Sequence, residues 1–349
     1  MSSGPVKARH GENPFDDRMK GPRNRAVIVC EDMSDVVHAV ADHETALTIG
    51  VFDGLHLGHQ ALIKETFAQA RAHGLKTAVM TFRDHPLRVL APPFCPKRLL
   101  YSDRKRRLLD DMGVDVLLDL AFSREFSETG PDKFIADVLS GVFHCRAFVC
   151  GDDFTFGKDG GGNVALLRDA GKRTGFDVHV VEAVAQHDVL VKSTQIRDLL
   201  LSGMVEHAAA LLTRPYELRG TVVHGHHRGR TIGFPTANIP PDPTHIVPAR
   251  GVYLCGARVH DYEHPVTGAM VNIGHAPTFG MERLMVEAHL LDFEGDLAGK
   301  ELEIHFYKRL RDEIKFAGVD ALVAQLDQDR GESRRLLQTP EIQQLMKAS

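Results

Sequence analysis

The stretch GVFDGLHLGHQ, Gly50–Gln60, decides how the first half of the chain is read. It ends the apolar run Ala46–Gly50 and opens a helical pattern over His59–Ala72. A buried strand that becomes a helix within a few residues leaves free amide N–H groups and a helix dipole facing one crevice of an α/β sheet. His56 and His59 frame Leu57-Gly58, and Gly58 lets a nucleotide approach the backbone closely. Two imidazoles so spaced can donate hydrogen bonds to phosphate oxygens as charge builds in an in-line displacement. HxGH alone is short, and 20 histidines make chance pairs common. Its place after an apolar strand gives it weight.

Outward from that stretch, short apolar runs alternate with helical patterns. The runs are Ala46–Gly50, Thr77–Phe82, Val114–Leu120, Ala147–Cys150 and Val178–Ala183. Helical stretches such as His59–Ala72 and Pro131–Leu139 separate them, which predicts a doubly wound, mostly parallel α/β sheet. Ile196, Leu199 and Leu200 form a helical stripe with Gly203 as its C-cap. A further helix over Val205–Leu212 is broken by Arg214-Pro215. Beyond Tyr216 strand-like runs recur without helices between them: Glu217–His224, Val252–Val259, Ala269–Ile273, Met285–Leu291 and Glu301–Tyr307. They predict a small antiparallel barrel or sandwich, closed by a helix carrying Val319, Leu322, Val323 and Leu326. The expected organisation is a disordered polar leader (1–24), a Rossmann-like α/β domain (25–212), a β-barrel domain (213–335) and a C-terminal tail (336–349).

Composition narrows the class of function. The 349 residues exceed one ordinary core and suit two domains. A formal charge of −5 gives no global basic surface for nucleic acid or anionic lipid. No apolar run is long enough to span a bilayer, and the first 25 residues lack the apolar core of a secretory signal. Five scattered cysteines without a CxxC suggest neither a disulfide framework nor a zinc knuckle, and fit a reducing cytoplasm.

Other stretches carry chemistry. KSTQIR, Lys192–Arg197, places Lys192, Ser193, Thr194 and Arg197 at a strand-to-helix turn, where they can cradle departing phosphates. An ordinary N-cap with a solvated Arg reads equally well. GDDFTFG, Gly151–Gly157, follows an apolar strand, and its carboxylates and aromatics can bind ribose, a metal or a ring. The alternative is a turn whose Asp side chains cap backbone. Gly160–Gly162 lacks the Walker pattern and reads as a flexible connection. In GFPTAN, Gly233–Asn238, Pro235 stiffens the approach. Thr236 and Asn238 alternate as on an extended chain and are hard ligands suited to Mg²⁺ on ATP, although a plain turn is the commoner reading. Upstream, Gly220, Gly225, Arg228, Gly229 and Arg230 offer close approach and charge to phosphates. A metal site at His224, His226 and His227 is the weaker reading of that loop. Glu287, in a strand pattern, can accept a proton from an attacking hydroxyl, or simply face solvent.

Together these segments resemble the bacterial bifunctional riboflavin kinase/FAD synthetases. VMTFRDHP (79–86), LAFSREFSETGPDKFIADVL (120–139), GTVVHGHHRGRTIGFPTANI, PARGVY, NIGHAPTFG, VEAHLLDF and LRDEIKF extend the resemblance over roughly residues 45 to 330. It implies two reactions: riboflavin plus ATP giving FMN and ADP in the barrel, and FMN plus ATP giving FAD and pyrophosphate in the α/β domain. It implies that His56, His59, Ser193, Thr194 and Arg197 serve adenylyl transfer. Gly50, Phe52, Asp53, Gly54, Gly58 and Asp153 would then line the nucleotide or flavin site. In the second domain it implies Glu287 as the base, Thr236 and Asn238 on Mg²⁺, and Gly220, Gly229, Arg230 and Pro235 around ATP. Arg311 and Phe316 match a segment that covers the flavin. Lys192 stands where relatives usually have Ser, Asp84 replaces a common Pro, and His275 a frequent Thr. A monomer or weak homo-oligomer, without nucleic-acid or membrane partners, is expected. Three other readings are a kinase with a degenerate first domain, a different HxGH nucleotidyltransferase, and a flavin-binding protein without turnover.

Overall fold

The computed structural model describes residues 26–186, 189–224, 228–260, 266–278 and 281–349. The leader read over residues 1–24, together with Gly225, His226 and His227, lies outside them, as do the side chains of Arg228 and His275. The chain divides into two compact units. One runs to Pro96 and resumes over Leu100–Lys192; the other comprises Lys97–Leu99 and Ser193–Ser349.

The first unit is a parallel sheet of β1 (Ile28–Cys30), β2 (Thr45–Ile49), β3 (Lys76–Phe82), β4 (Val116–Leu120), β5 (Cys145–Gly151) and β6 (Asp177–Val181), in the order β1-β4-β3-β2-β5-β6. Its longer helices are α1 (Met33–Val40), α2 (Leu57–His73), α3 (Ser102–Met112), the π-helical α4 (Phe134–Val142) and α5 (Val164–Thr174). Successive strand residues point to opposite faces, and both faces are covered. Ala78, Met80, Val116, Leu118, Phe148 and Cys150 pack against α1, α4 and α5. Val79 and Leu117 pack against Ile63 and Phe67 of α2 and Leu108, Leu109 and Met112 of α3. The five expected strands are present, each within two residues at either end. β1 escaped the reading because three residues, two of them exposed, carry no period. Gly160–Gly162 is not a loose connection. Gly162 and Asn163 pair with Thr155 and Phe156. A Cβ on Gly162 would overlap the Phe156 ring at 2.5 Å, and Asn163 caps α5 through the Leu166 amide at 3.0 Å.

The second unit opens with α6 (Ser193–Leu201) and α7 (Val205–Leu212). Six antiparallel strands follow: β7 (Tyr216–Thr221), β8 (Ala237–Ile239), β9 (Gly251–Val259), β10 (Thr267–Thr278), β11 (Met281–Leu290) and β12 (Glu301–Arg311). They are ordered β7-β12-β9-β10-β11-β8. A bridge between Val223 and Asn238, with the Val223 amide 2.8 Å from the Asn238 carbonyl, joins the two ends, so the sheet curls into a small barrel. α8 (Val319–Leu337) lays Val323, Leu326 and Leu337 against Met270 and Leu291. The stretch expected as a tail contains α9 (Pro340–Lys347), whose Ile342 and Leu345 pack with Leu254 and Tyr307.

All five cysteines are free, and four are buried. Burial, the largest effect, pushes the Cys30 and Cys150 thiols up to about 11, so they act as small apolar side chains.

One side of β7, β9 and β12 holds a buried ionic network. Glu303 is 2.8 Å from His305 Nε2, 3.4 Å from Arg219 Nε and 3.6 Å from Arg258, and Arg219 also pairs with Glu217. Burial pushes the Glu303 carboxyl up, but the hydrogen bond and charge of His305, with the charges of Arg219 and Arg258, outweigh it and hold the group at about 2. A depressed folded-state pKa gives stability that is complete above the unfolded value of roughly 4.3 and lost as pH falls toward 2. The stability difference between wild type and Glu303→Gln, measured by urea unfolding, is therefore expected to be full above pH about 5 and to shrink steadily toward pH about 2.

Candidate active sites

In the first unit, chain order reverses between β2 and β5. β3 and β4 lie to one side of β2; β5 and β6 lie to the other. The crevice at the carboxyl ends of such a pair is where open α/β sheets bind ligands. GVFDGLHLGHQ leaves the end of β2 and GDDFTFG leaves the end of β5, so the switch point carries both predicted segments.

The turn after β2 is tightly made. Phe52 and Leu55 hold φ of 50° and 44°, and Gly54 holds 91°. Such angles are costly for residues with a Cβ and persist only where the surroundings enforce them. The Phe52 ring is buried under Gly50, where a Cβ would lie 3.1 Å from it. Gln60 fixes the Leu55 carbonyl at 2.8 Å.

His56 is the N-cap of α2, and its Nδ1 accepts from the His59 amide at 3.4 Å. In the neutral ring this leaves the proton on Nε2 as a hydrogen-bond donor. The two imidazoles stack with centroids 3.7 Å apart, and the Phe52 and His59 rings meet in a T-shape with centroids 5.3 Å apart. Space at Gly58 is tight: a Cβ would come within 3.2 Å of the His56 ring and 3.3 Å of the Val191 carbonyl. Val191, just ahead of Lys192, thus lies beside the HxGH turn.

Asp153, on the other side of the switch point, is exposed and lies 3.7 Å from Lys192 Nζ. That ion pair is the structural setting of the Lys192 departure. Asp84, the second departure, faces Arg88 at 3.5 Å. The aromatics of GDDFTFG turn inward: Phe156 is buried against Phe134, and Phe154 packs on Phe148 and Phe156. Ser193, Thr194 and Arg197 begin α6 and belong to the second compact unit, where Arg197 Nε donates to the Lys97 carbonyl at 2.7 Å.

In the second unit the barrel register assembles a polar row. Asn238 pairs with Glu287, and Glu287 with Asn272, across β8, β11 and β10. Directly opposed residues share a face. Their neighbours Ala237, Ile239, Val286, Ala288, Val271 and Ile273 are all buried, so the barrel core takes one face and the half-buried polar row the other. Asn272 lies within NIGHAPTFG, and its place in this row follows from register, which no single segment reveals. Gly220 and Gly229 allow close packing: a Cβ on Gly220 would press on Ile239 at 2.5 Å. One on Gly229 would collide with the Phe234 carbonyl and lie 3.5 Å from Thr236 Oγ1. Gly229 thus leaves free the room beside the Thr236 hydroxyl. A hydroxyl, an amide oxygen and a nearby carboxylate fit a hard divalent cation. His289 Nδ1 lies 2.8 Å from the Pro235 carbonyl and Arg330 covers Phe234 at 4.7 Å, which steadies the turn. Arg230 is exposed at the end of the short helix Arg228–Thr231.

The same lateral row continues from Asn272 through Val252 to Arg311. Arg311 is held by Asp329 through Nε (3.0 Å) and Nη2 (2.7 Å), with Phe316 5.9 Å away. Its guanidinium is therefore committed to the protein.

Profiles of two families match the chain: FAD synthetase over residues 38–195 and riboflavin kinase over residues 212–337. Proteins described as bifunctional riboflavin kinase/FMN adenylyltransferase are similar across most of the length. That of Listeria monocytogenes is 38% identical, covering 84% of this chain and 92% of its own; that of Escherichia coli K12 is 38% identical, covering 81% and 90%. The chain belongs to the bifunctional riboflavin kinase/FMN adenylyltransferase family. A crystal structure of a Streptococcus pneumoniae protein described as a macrolide-efflux protein also matches, with a TM-score of 0.78 at 32% identity, covering 89% of this chain and 99% of that one. Among the described residues here, no helix is long and apolar enough to cross a membrane. Family membership makes the split between two matched profiles and the split between two compact units parts of one organisation.

Removing one partner of a buried ion pair leaves the other charge uncompensated. Arg311→Met is expected to lower unfolding free energy by about 3–5 kcal/mol in chemical denaturation without flavin or ATP.

Proposed function

We infer that the two reactions of this family are divided between two stretches of the chain and that residues gathered above carry them. The chain phosphorylates riboflavin to FMN with ATP and adenylylates FMN to FAD with release of pyrophosphate. We assign the second reaction to residues 25–212 and the first to 213–335.

In adenylyl transfer a phosphate oxygen of FMN attacks the α-phosphorus of ATP and pyrophosphate leaves. His56 and His59 donate to the oxygens that gain charge, and the amides at the start of α2 add to the same field. The observation that carries this assignment is the stacked pair at the switch point, with Gly58 opening the approach. Gly50, Phe52, Asp53 and Gly54 shape the turn, and Asp153 faces the nucleotide from the β5 side.

In the kinase reaction the ribityl 5′-hydroxyl attacks the γ-phosphorus and ADP leaves. Glu287 accepts the hydroxyl proton. Thr236 and Asn238 hold Mg²⁺, which when bound neutralises phosphate charge. Gly220, Gly229, Arg230 and Pro235 surround ATP, and Asn272 joins Glu287 on the flavin side. Phe316 covers the ring, and Arg311 supports that cover through Asp329. The protein works in the cytoplasm as a monomer or weak homo-oligomer, on small molecules alone.

A degenerate first domain rested on Lys192 and Asp84, and both have ordinary ion-pair partners. With FMN and Mg-ATP supplied, His59→Ala is expected to cut FAD formation by at least about 100-fold and leave riboflavin phosphorylation intact. Glu287→Ala is expected to do the reverse, lowering FMN formation by about 100-fold or more. Chromatography of FMN and FAD over time reads both, and loss of both activities in one folded variant would refute the division.

A further inference from the structure

Lys105 occupies a position that helix packing would give to leucine. With Leu108, Leu109 and Met112 it completes the i, i+3, i+4, i+7 stripe of α3, and all four are buried. An ammonium at 5% exposure is costly unless its protons are well used. Its Nζ donates to the Phe82 carbonyl at 2.7 Å and to Thr81 Oγ1 at 3.0 Å, at the carboxyl end of β3. Thr81 is itself wholly buried, and its hydroxyl donates to the Val51 carbonyl at 3.0 Å. A hydroxyl has one proton to give. By filling an acceptor site on Thr81, the ammonium directs that proton to Val51.

Val51 precedes Phe52, whose backbone is in the left-handed region and whose ring makes a T-shaped contact with His59. We propose that Lys105 is a positioning residue for adenylyl transfer: through Thr81 it fixes the Val51 carbonyl, and so holds the strained turn that seats Phe52 against His59. The proposal rests on the role of His59 inferred above. Lys105 reaches no substrate in this scheme. It sets where the imidazole stands, and a shift of about 1 Å in such a group can cost 100-fold in rate.

The test is steady-state FAD formation by Lys105→Met, Thr81→Val, Thr81→Ser and the Lys105→Met/Thr81→Val double variant, well below each melting temperature. Lys105→Met and Thr81→Val are each expected to lower kcat by about 10–100-fold with KM for ATP changed less than about threefold. Thr81→Ser, which keeps the hydroxyl, restores most of the rate. Residues acting through one hydroxyl are non-additive, so the double variant is no worse than the weaker single. Riboflavin phosphorylation in the same samples stays unchanged. Full kcat in folded Lys105→Met, or losses that multiply in the double variant, would overturn the proposal. If Lys105→Met does not fold, the serine and valine variants of Thr81 decide it, equal rates in the two being the contrary result. His59→Ala measured alongside separates the layers. Retained FAD formation there sinks the reading of the histidines, whereas its loss with full turnover in Lys105→Met removes only the positioning role.

Discussion

The first unit depends on a backbone held against its own preference. Between the end of β2 and the start of α2 the chain must reverse its hydrogen-bonding regime within seven residues while leaving amides toward the switch point. Phe52 and Leu55 adopt left-handed angles without being glycine, and each such residue costs roughly 1–3 kcal/mol. The surroundings supply that: a buried aromatic ring, a glutamine on the Leu55 carbonyl, and a threonine on the Val51 carbonyl. The two imidazoles inherit their positions from this turn, so the geometry of the proposed site and the packing of the core are one problem here.

In the second unit the corresponding constraint is register. A curled antiparallel sheet brings Asn238, Glu287 and Asn272 side by side because each pairs directly with the next. Slipping one strand by a residue would send all its polar groups into the apolar core. The short β8 strand is pinned at both sides, by β11 and by the Val223 bridge. The site therefore needs little local sequence of its own: the barrel that excludes water from Val286 and Ile273 is the device that aligns the polar row.

Much of this was legible in the chain itself. Alternation of apolar runs and helical patterns gave the parallel sheet, and helix-free strand runs gave the barrel. HxGH and GFPTAN stand out in the sequence by residue type and spacing. What stayed hidden was long-range. Asn272 gains its meaning from strand pairing, and Lys105 sat unnoticed in SDRKRRLLDD, where a charge run reads as a solvated face. Its helical phase with Leu108, Leu109 and Met112 was the available signal. Phe154 and Phe156 read as ligand-facing because an aromatic at a strand end carries no mark of the side it will pack on; the sheet and α4 claimed them. The Arg311–Asp329 pair was equally hidden, because Asp329 lies on a helix with no local link to that strand.

The two sites also differ for a chemical reason. FMN brings a phosphate whose second ionisation lies near pH 6, so its attacking oxygen is already anionic at neutral pH. Such a nucleophile needs its repulsion from ATP screened rather than a proton removed. Donors without a base suffice: paired imidazoles, helix amides and hydroxyls. Riboflavin offers an alcohol, which stays protonated until it attacks, so a carboxylate must stand ready to take the proton. The histidine pair and the glutamate proposed above are therefore residue types that suit the two nucleophiles. An exchange of roles would leave the alcohol without an acceptor and put a second negative charge beside the phosphates.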